Sequence, residues 1–193
     1  MRSLVFFILF QFLLQLSEAQ TLHYTVRLGD EVMGKMTAVR SVSGKTLYSI
    51  ESLINVQKMI TVDLFYRIEA QFEKQILTRS SAIEKANGKE HTKSETRRIL
   101  NGYNVITKKA SKTIPHKGIN YNLCTLYFHE PEGRTSVWSD TFGEMLGIKP
   151  AGEHKYELTL PNGKSSFYTY HKGICTLVES EMIFGKITFT LTK

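Results

Sequence analysis

Cysteine is scarce in this chain: 193 residues hold two, Cys124 and Cys175. Neither belongs to a Cys-x-x-Cys pair, and no His-Glu-x-x-His occurs, so the spacings that build zinc or dithiol centres are missing. Gly-x-Ser-x-Gly is absent, which removes the strained strand-to-helix elbow that presents a hydrolase serine. No glycine-rich loop is present to cradle phosphates. Beyond Leu14 no apolar run approaches the roughly 20 residues that a membrane-spanning helix requires. No internal repeat, low-complexity tract or linker divides the chain. With no recognisable catalytic machinery, no metal ligand set and no cofactor motif, the sequence points away from an enzyme and towards a protein that binds.

The one long apolar run lies at the start. Leu4 to Leu14 is broken only by Gln11, follows Arg2, and leads to Ser17-Glu18-Ala19. A short basic region, an apolar stretch and small residues before a cut site form a cleavable export signal, here with cleavage before Gln20. The run is about half as long as a membrane span, and no cysteine follows it to carry a lipid anchor. Residues 1–19 are therefore expected to be a signal peptide, and residues 20–193 a single β-rich domain, periplasmic or extracellular. The formal net charge is +7, but an exported protein is not expected to meet nucleic acid. The signs alternate in KANGKEHTKSETRR, so a solvated basic face accounts for the charge. Attraction to an anionic membrane or polyanion is the sharper alternative. In an oxidising compartment Cys124 and Cys175 either form a disulfide or stay as two buried thiols, since both sit among apolar neighbours.

What the sequence does contain is punctuation. Gly29-Asp30, Ser43-Gly44, Asn87-Gly88, Asn101-Gly102, Asn162-Gly163 and Lys172-Gly173 each separate alternating runs. Such pairs supply the positive φ that tight hairpin turns demand. In LHYTVRL, Leu22, Tyr24, Val26 and Leu28 share one face. Near the end, Ile183, Gly185, Ile187, Phe189 and Leu191 share another. Ser166–Tyr170 and Ile174–Val178 form a hairpin. One wet and one dry face define a half-buried antiparallel sheet. The polar stretch from Leu64 to Leu100 is expected to form a long charged hairpin projecting beyond the core. Two short helices are expected, over Asn120–Phe128 from the spacing of Ile119, Leu123, Leu126 and Tyr127, and over Thr141–Leu146 from a capping-box spacing.

Gly29-Asp-x-x-x-Gly34, Phe128-His-Glu-Pro-Glu-Gly133, Thr141-Phe-Gly143, Leu160-Pro-Asn-Gly163 and Tyr170-His-Lys-Gly173 carry a resemblance that spans nearly the whole mature chain. The arrangement resembles a family of secreted Gram-negative bacterial proteins known as a domain of unknown function. The resemblance implies a mainly β fold: a curved antiparallel meander that forms an open or half barrel and wraps one short helix, similar to periplasmic lipoprotein carriers. It implies no catalytic residue.

A curved sheet that does not close leaves an apolar concave face. Candidate residues lining such a site for a lipid or other apolar ligand are Tyr24, Val26, Leu123, Tyr127, Trp138, Phe167 and Phe189. A packed core is the alternative use of the same residues. A second reading is a protein-interaction module of the cell envelope, using the charged hairpin near Ser80–Arg98 for strand addition with Trp138, Tyr168 and Tyr170 as anchors. A hydrolase is a third. His129, Glu130, Glu132, Asp140 and Glu144 cluster in sequence, where turn and capping roles account for them better than a hard cation does.

Overall fold

The computed structural model describes residues 18–57, 61–182 and 185–192. The apolar run expected to direct export lies outside these residues. Fourteen strands make one sheet: β1 Glu18–Leu28, β2 Glu31–Ser43, β3 Lys45–Gln57, β4 Thr61–Glu73, β5 Ile76–Ala86, β6 Lys89–Ile99, β7 Gly102–Thr107, β8 Ser111–Ile114, β9 Ser136–Ser139, β10 Glu144–Gly152, β11 Lys155–Thr159, β12 Ser165–His171, β13 Ile174–Met182 and β14 Gly185–Leu191. Their spatial order is β8 to β1 and then β14 to β9. Every strand pairs antiparallel with its neighbour in the chain except where β8 gives way to β9. The first and last strands lie side by side in mid-sheet, Val26 opposite Phe189. The molecule is thus an up-and-down meander that curves round and stays open at one seam, between two strands consecutive in sequence.

The alternation dictates which side is dry. Leu22, Tyr24, Val26 and Leu28 of β1 are buried, as are Tyr48, Ile50, Ile54 and Val56 of β3, Ile68, Ala70 and Phe72 of β4, and Tyr156, Leu158, Tyr168 and Tyr170 of β11 and β12. A one-residue slip would reverse every one of these, so the register is strongly specified. The six glycine-containing turns named above all join strands. Two further turns carry positive φ without glycine or asparagine: Lys74 and Gln75 between β4 and β5 (φ 49° and 64°), and His154 (φ 51°) between β10 and β11.

Three expectations change. The helix over Asn120–Phe128 is one 3₁₀ turn, Thr125–Tyr127, and there is no α-helix among the described residues. The backbone of Tyr121–Leu123 is claimed by β9 first: Trp138 N–H donates to Tyr121 O at 3.1 Å and Leu123 N–H to Trp138 O at 3.0 Å. An extended segment paired in this way cannot also start a helix, and the Asn122 and Thr125 side chains then cap each other's backbone. The second helix is the turn between β9 and β10, where Gly143 N–H returns to Ser139 O at 2.8 Å. Third, the charged hairpin does not project. Its strands β5 and β6 pair on their outer sides with β4 and β7, and Ser80, Ala82, Ser94 and Thr96 face the interior.

Candidate functional site

The stretch from β8 to β9, residues 115–135, fills the hollow of the sheet. It enters where Tyr103 Oη accepts from Ile119 N–H at 2.9 Å and donates to Leu77 O at 3.0 Å. It then crosses the interior on its aromatic residues. The Tyr127 ring sits between Tyr24 of β1 (5.5 Å, interplanar angle 77°) and Tyr168 of β12 (6.2 Å, 77°). Phe128 reaches Tyr48 of β3 at 5.6 Å. The two edge-to-face contacts of Tyr127 each stabilise by about 0.5–1.5 kcal/mol beyond burial. Tyr24 Oη also donates to Cys175 O at 2.7 Å. These phenols are pushed up in pKa by burial first, Tyr127 well above the ordinary value.

The residues expected to line an apolar site therefore separate. Tyr24, Val26, Tyr127 and Trp138 are buried against their neighbours, and Leu123 and Phe189 are half-buried at the edge of the same core. Phe167 is a correction: Ser166, Tyr168 and Tyr170 face inward, so Phe167 faces out, where Lys155 Nζ lies 5.1 Å from its ring centre. Trp138 is wholly buried, because β9 is covered on both faces. Trp138, Tyr168 and Tyr170 are accordingly unavailable as anchors for a partner, and the Ser80–Arg98 hairpin offers no unpaired edge. Cys124 and Cys175 are both free and buried. Burial raises both thiol pKa values, Cys175 to about 12.

Beneath the connector lies a buried polar group. Asn122 Nδ2 donates to both oxygens of Asp140, at 3.1 and 2.9 Å. Ser94 Oγ donates to the Asp140 carbonyl, and the Tyr66 and Thr141 hydroxyls meet at 2.8 Å. Burial pushes the Asp140 pKa up to about 6, against the pull of Ser80 and Asn122. The other acidic residues of this region go elsewhere. Glu130 accepts from Tyr156 Oη at 3.0 Å and pairs with His154; Glu144 is exposed. His129 Nε2 lies 3.3 Å from Tyr48 Oη, with a pKa lowered by burial, then by Arg40 and Arg134. Among the described residues no three His, Cys, Asp or Glu side chains converge as a metal would require.

Open space lies on the other face. Two grooves cross the outside of β2–β5, separated by the Arg67–Glu51 ion pair. One, near the β2–β3 turn, has a volume of about 450 Å³ and mixes Val39 and Leu47 with Glu69, Gln71 and Arg79. The other, near the β1–β2 and β5–β6 turns, has a volume of about 520 Å³ and is formed by Val32, Leu53, Leu64 and Phe65 with Lys35, Asp63 and Lys85. Val32 and Leu53 are about half exposed (58% and 48%). Arg67 and Lys85 stack on Phe65, 5.1 and 5.9 Å from the ring centre. A third depression, about 300 Å³, follows the open seam at Tyr121, Arg134 and Met145. Strand alternation assigns Leu53 and Phe65 to the wet side, which is why they escape a search for inward residues. The signal that reveals them is the unbroken apolar pairs Leu53-Ile54 and Leu64-Phe65 within otherwise alternating strands.

An open antiparallel meander with its own connector as plug defines a barrel-like β fold. Residues 24–192 match the model of a family described as domain of unknown function DUF6134, and the chain belongs to that family. Its fold is shared with a solved structure from Brucella abortus, described as a beta-barrel-like protein of domain of unknown function DUF1849. The identity is 9% and the TM-score 0.52, over 90% of this chain and 95% of that one. Comparison with curated proteins gave no match.

Proposed function

We propose that this protein binds a ligand without transforming it, and that the ligand is an apolar or amphipathic molecule such as a lipid, held in the outer groove of β2–β5. The observation that carries this reading is the groove itself. About 520 Å³ is within the range of small-molecule sites, its floor is Val32, Leu53, Leu64 and Phe65, and Lys35 and Lys85 flank it. Apolar side chains left half exposed gain about 25 cal/mol per Å² when a ligand covers them, and lysines at the rim suit an anionic head group. The site lies on the opposite face of the sheet from the one sequence reasoning selects, since the connector occupies the concave side. Binding is favoured over catalysis because burial, and for Cys124 also the nearby Asp140, holds both thiols protonated in the core, and the Asp140 carboxylate is itself held by the Asn122 amide. With the export signal expected from the first residues, the setting is the periplasm or the outside of the cell.

Native mass spectrometry of protein purified from its own compartment tests this, together with titration of a fluorescent fatty acid into delipidated protein. A co-purifying apolar molecule is expected, and Leu53→Asp is expected to weaken fatty-acid binding at least tenfold while leaving the fold intact. Retention of full affinity by Leu53→Asp, or no uptake of the probe by the wild type, defeats the reading.

A further inference from the structure

The net charge of the chain is not spread over its surface. Between Arg79 and Lys117 there are ten Lys and Arg against three Glu, a balance of +7, which is the formal charge of the whole protein; the remaining residues balance to zero. This segment is β5–β8, one end of the sheet. Only Arg97 and Lys108 of its ten bases reach a carboxylate among the described residues, Glu95 at 3.2 Å and Glu90 at 3.6 Å. Arg79 and Arg97 are directly opposite each other on neighbouring strands, and both are exposed. Like charges at opposed positions oppose pairing. An anion between them would relieve this.

The β6–β7 turn adds a second, apolar feature. Leu100 is 98% exposed and Ile99 42%, directly after Arg97 and Arg98. The Pro115–Gly118 segment runs past the same end of the sheet: a side chain on Gly102 would meet Pro115 Cα, and one on Gly118 would meet Ile76. Lys117 and the β4–β5 turn with Lys74 therefore flank this end, and both lysines are exposed. An apolar side chain standing free at a hairpin tip, ringed by cations, gains nothing from a purely polyanionic partner. It gains when the cations meet lipid head groups and the tip enters the acyl boundary beneath them.

We infer that the β5–β8 end of the sheet docks on an anionic lipid bilayer, with Leu100 inserted and Arg97, Arg98 and Lys117 on head-group phosphates. The surface is separate from the ligand groove, which lies at the opposite end of β5.

Vesicle flotation with the full chain decides it, using phosphatidylcholine alone and an equal mixture of phosphatidylcholine and phosphatidylglycerol. Binding is expected to the mixed vesicles only, and to fall with added salt. Arg98→Ala and Lys117→Ala are each expected to weaken partitioning about fivefold, and Leu100→Ser about tenfold. Lys172→Ala, on a distant turn, is expected to bind as the wild type does. The substituted positions are all exposed, and circular dichroism verifies that the variants fold. Equal binding to neutral vesicles, no binding to either, or an unchanged Leu100→Ser overturns the inference. So does preference for a nucleic-acid duplex over the vesicles that is insensitive to Leu100.

Discussion

The side-chain amide of Asn122 bridges the two carboxylate oxygens of Asp140. One residue belongs to the connector inside the sheet, the other to the end of β9, so a buried carboxylate pins the plug to the strand that carries it back out. The carboxylate has no cation within ion-pair distance among the described residues. An ion buried on amide and hydroxyl partners alone is costly.

That cost fixes a pH dependence. The folded-state pKa of Asp140 is raised to about 6 by burial, so its contribution to stability is complete below the unfolded value and is lost as pH rises through about 6. A shift of this size corresponds to about 3 kcal/mol. His129 acts in the reverse direction: its lowered pKa gives stability above the unfolded value that is lost as pH falls. Comparing Asp140→Asn with the wild type removes that contribution. Urea melts at pH 4 and pH 8 are expected to show the variant gaining about 2.5 kcal/mol on the wild type between the two, since part of the contribution is already lost at pH 4. A constant difference would mean that Asp140 does not titrate in this range.

Tyr103 holds the entry of the connector. Its hydroxyl receives Ile119 N–H and donates to Leu77 O, and the residue is wholly buried. Tyr103→Phe keeps the ring and leaves a buried N–H without its acceptor, a loss of about 1–3 kcal/mol. Hydrogen exchange should locate the effect: the Ile119 amide is expected to lose protection well before amides of β12 and β13. Uniform loss across the sheet would show that the connector does not open on its own.

The strands were legible because their physics is local. Period-two burial in β1 and β14, and turns such as Asn87-Gly88, state their conformation in two or three residues. The turn at Lys74-Gln75 was not, since long side chains there accept positive φ that tertiary pairing imposes. The connector misled for a related reason. Ile119, Leu123, Leu126 and Tyr127 have helical spacing, yet Tyr121, Cys124 and Phe128 are buried as well. A segment enclosed by a curved sheet is apolar on all sides, and spacing then no longer distinguishes a helix from a threaded chain. Phe167 failed on phase: SFYTY has an aromatic on each face, and only pairing with β11 decides which is inside.

The cysteines make a chemical prediction. Both thiols are buried, and burial keeps them protonated near neutral pH; the thiolate is the reactive form. A disulfide reagent such as Ellman's is expected to find no reactive thiol in the native protein and two per chain in denaturant. Two thiols that label rapidly in the folded state would place them at the surface, and none in denaturant would reveal a disulfide.

The β9–β10 turn is the contact by which the open seam is held against the opposite wall. Gly143 has φ of +65°, and a Cβ there would lie 2.4 Å from Val105 Cγ1 of β7. Gly163, in the β11–β12 turn, has φ of +79° with nothing within 4 Å. Alanine at either position incurs the left-handed backbone cost of about 1–2 kcal/mol. At Gly143 the overlap adds about 1–3 kcal/mol, because β7 must move away or Val105 must leave its rotamer. Gly143→Ala is therefore expected to lower the urea midpoint by about twice as much as Gly163→Ala, and Val105→Ala in the same chain to recover part of the difference. Equal losses for the two glycine variants would show that the turn does not rest on Val105 of β7.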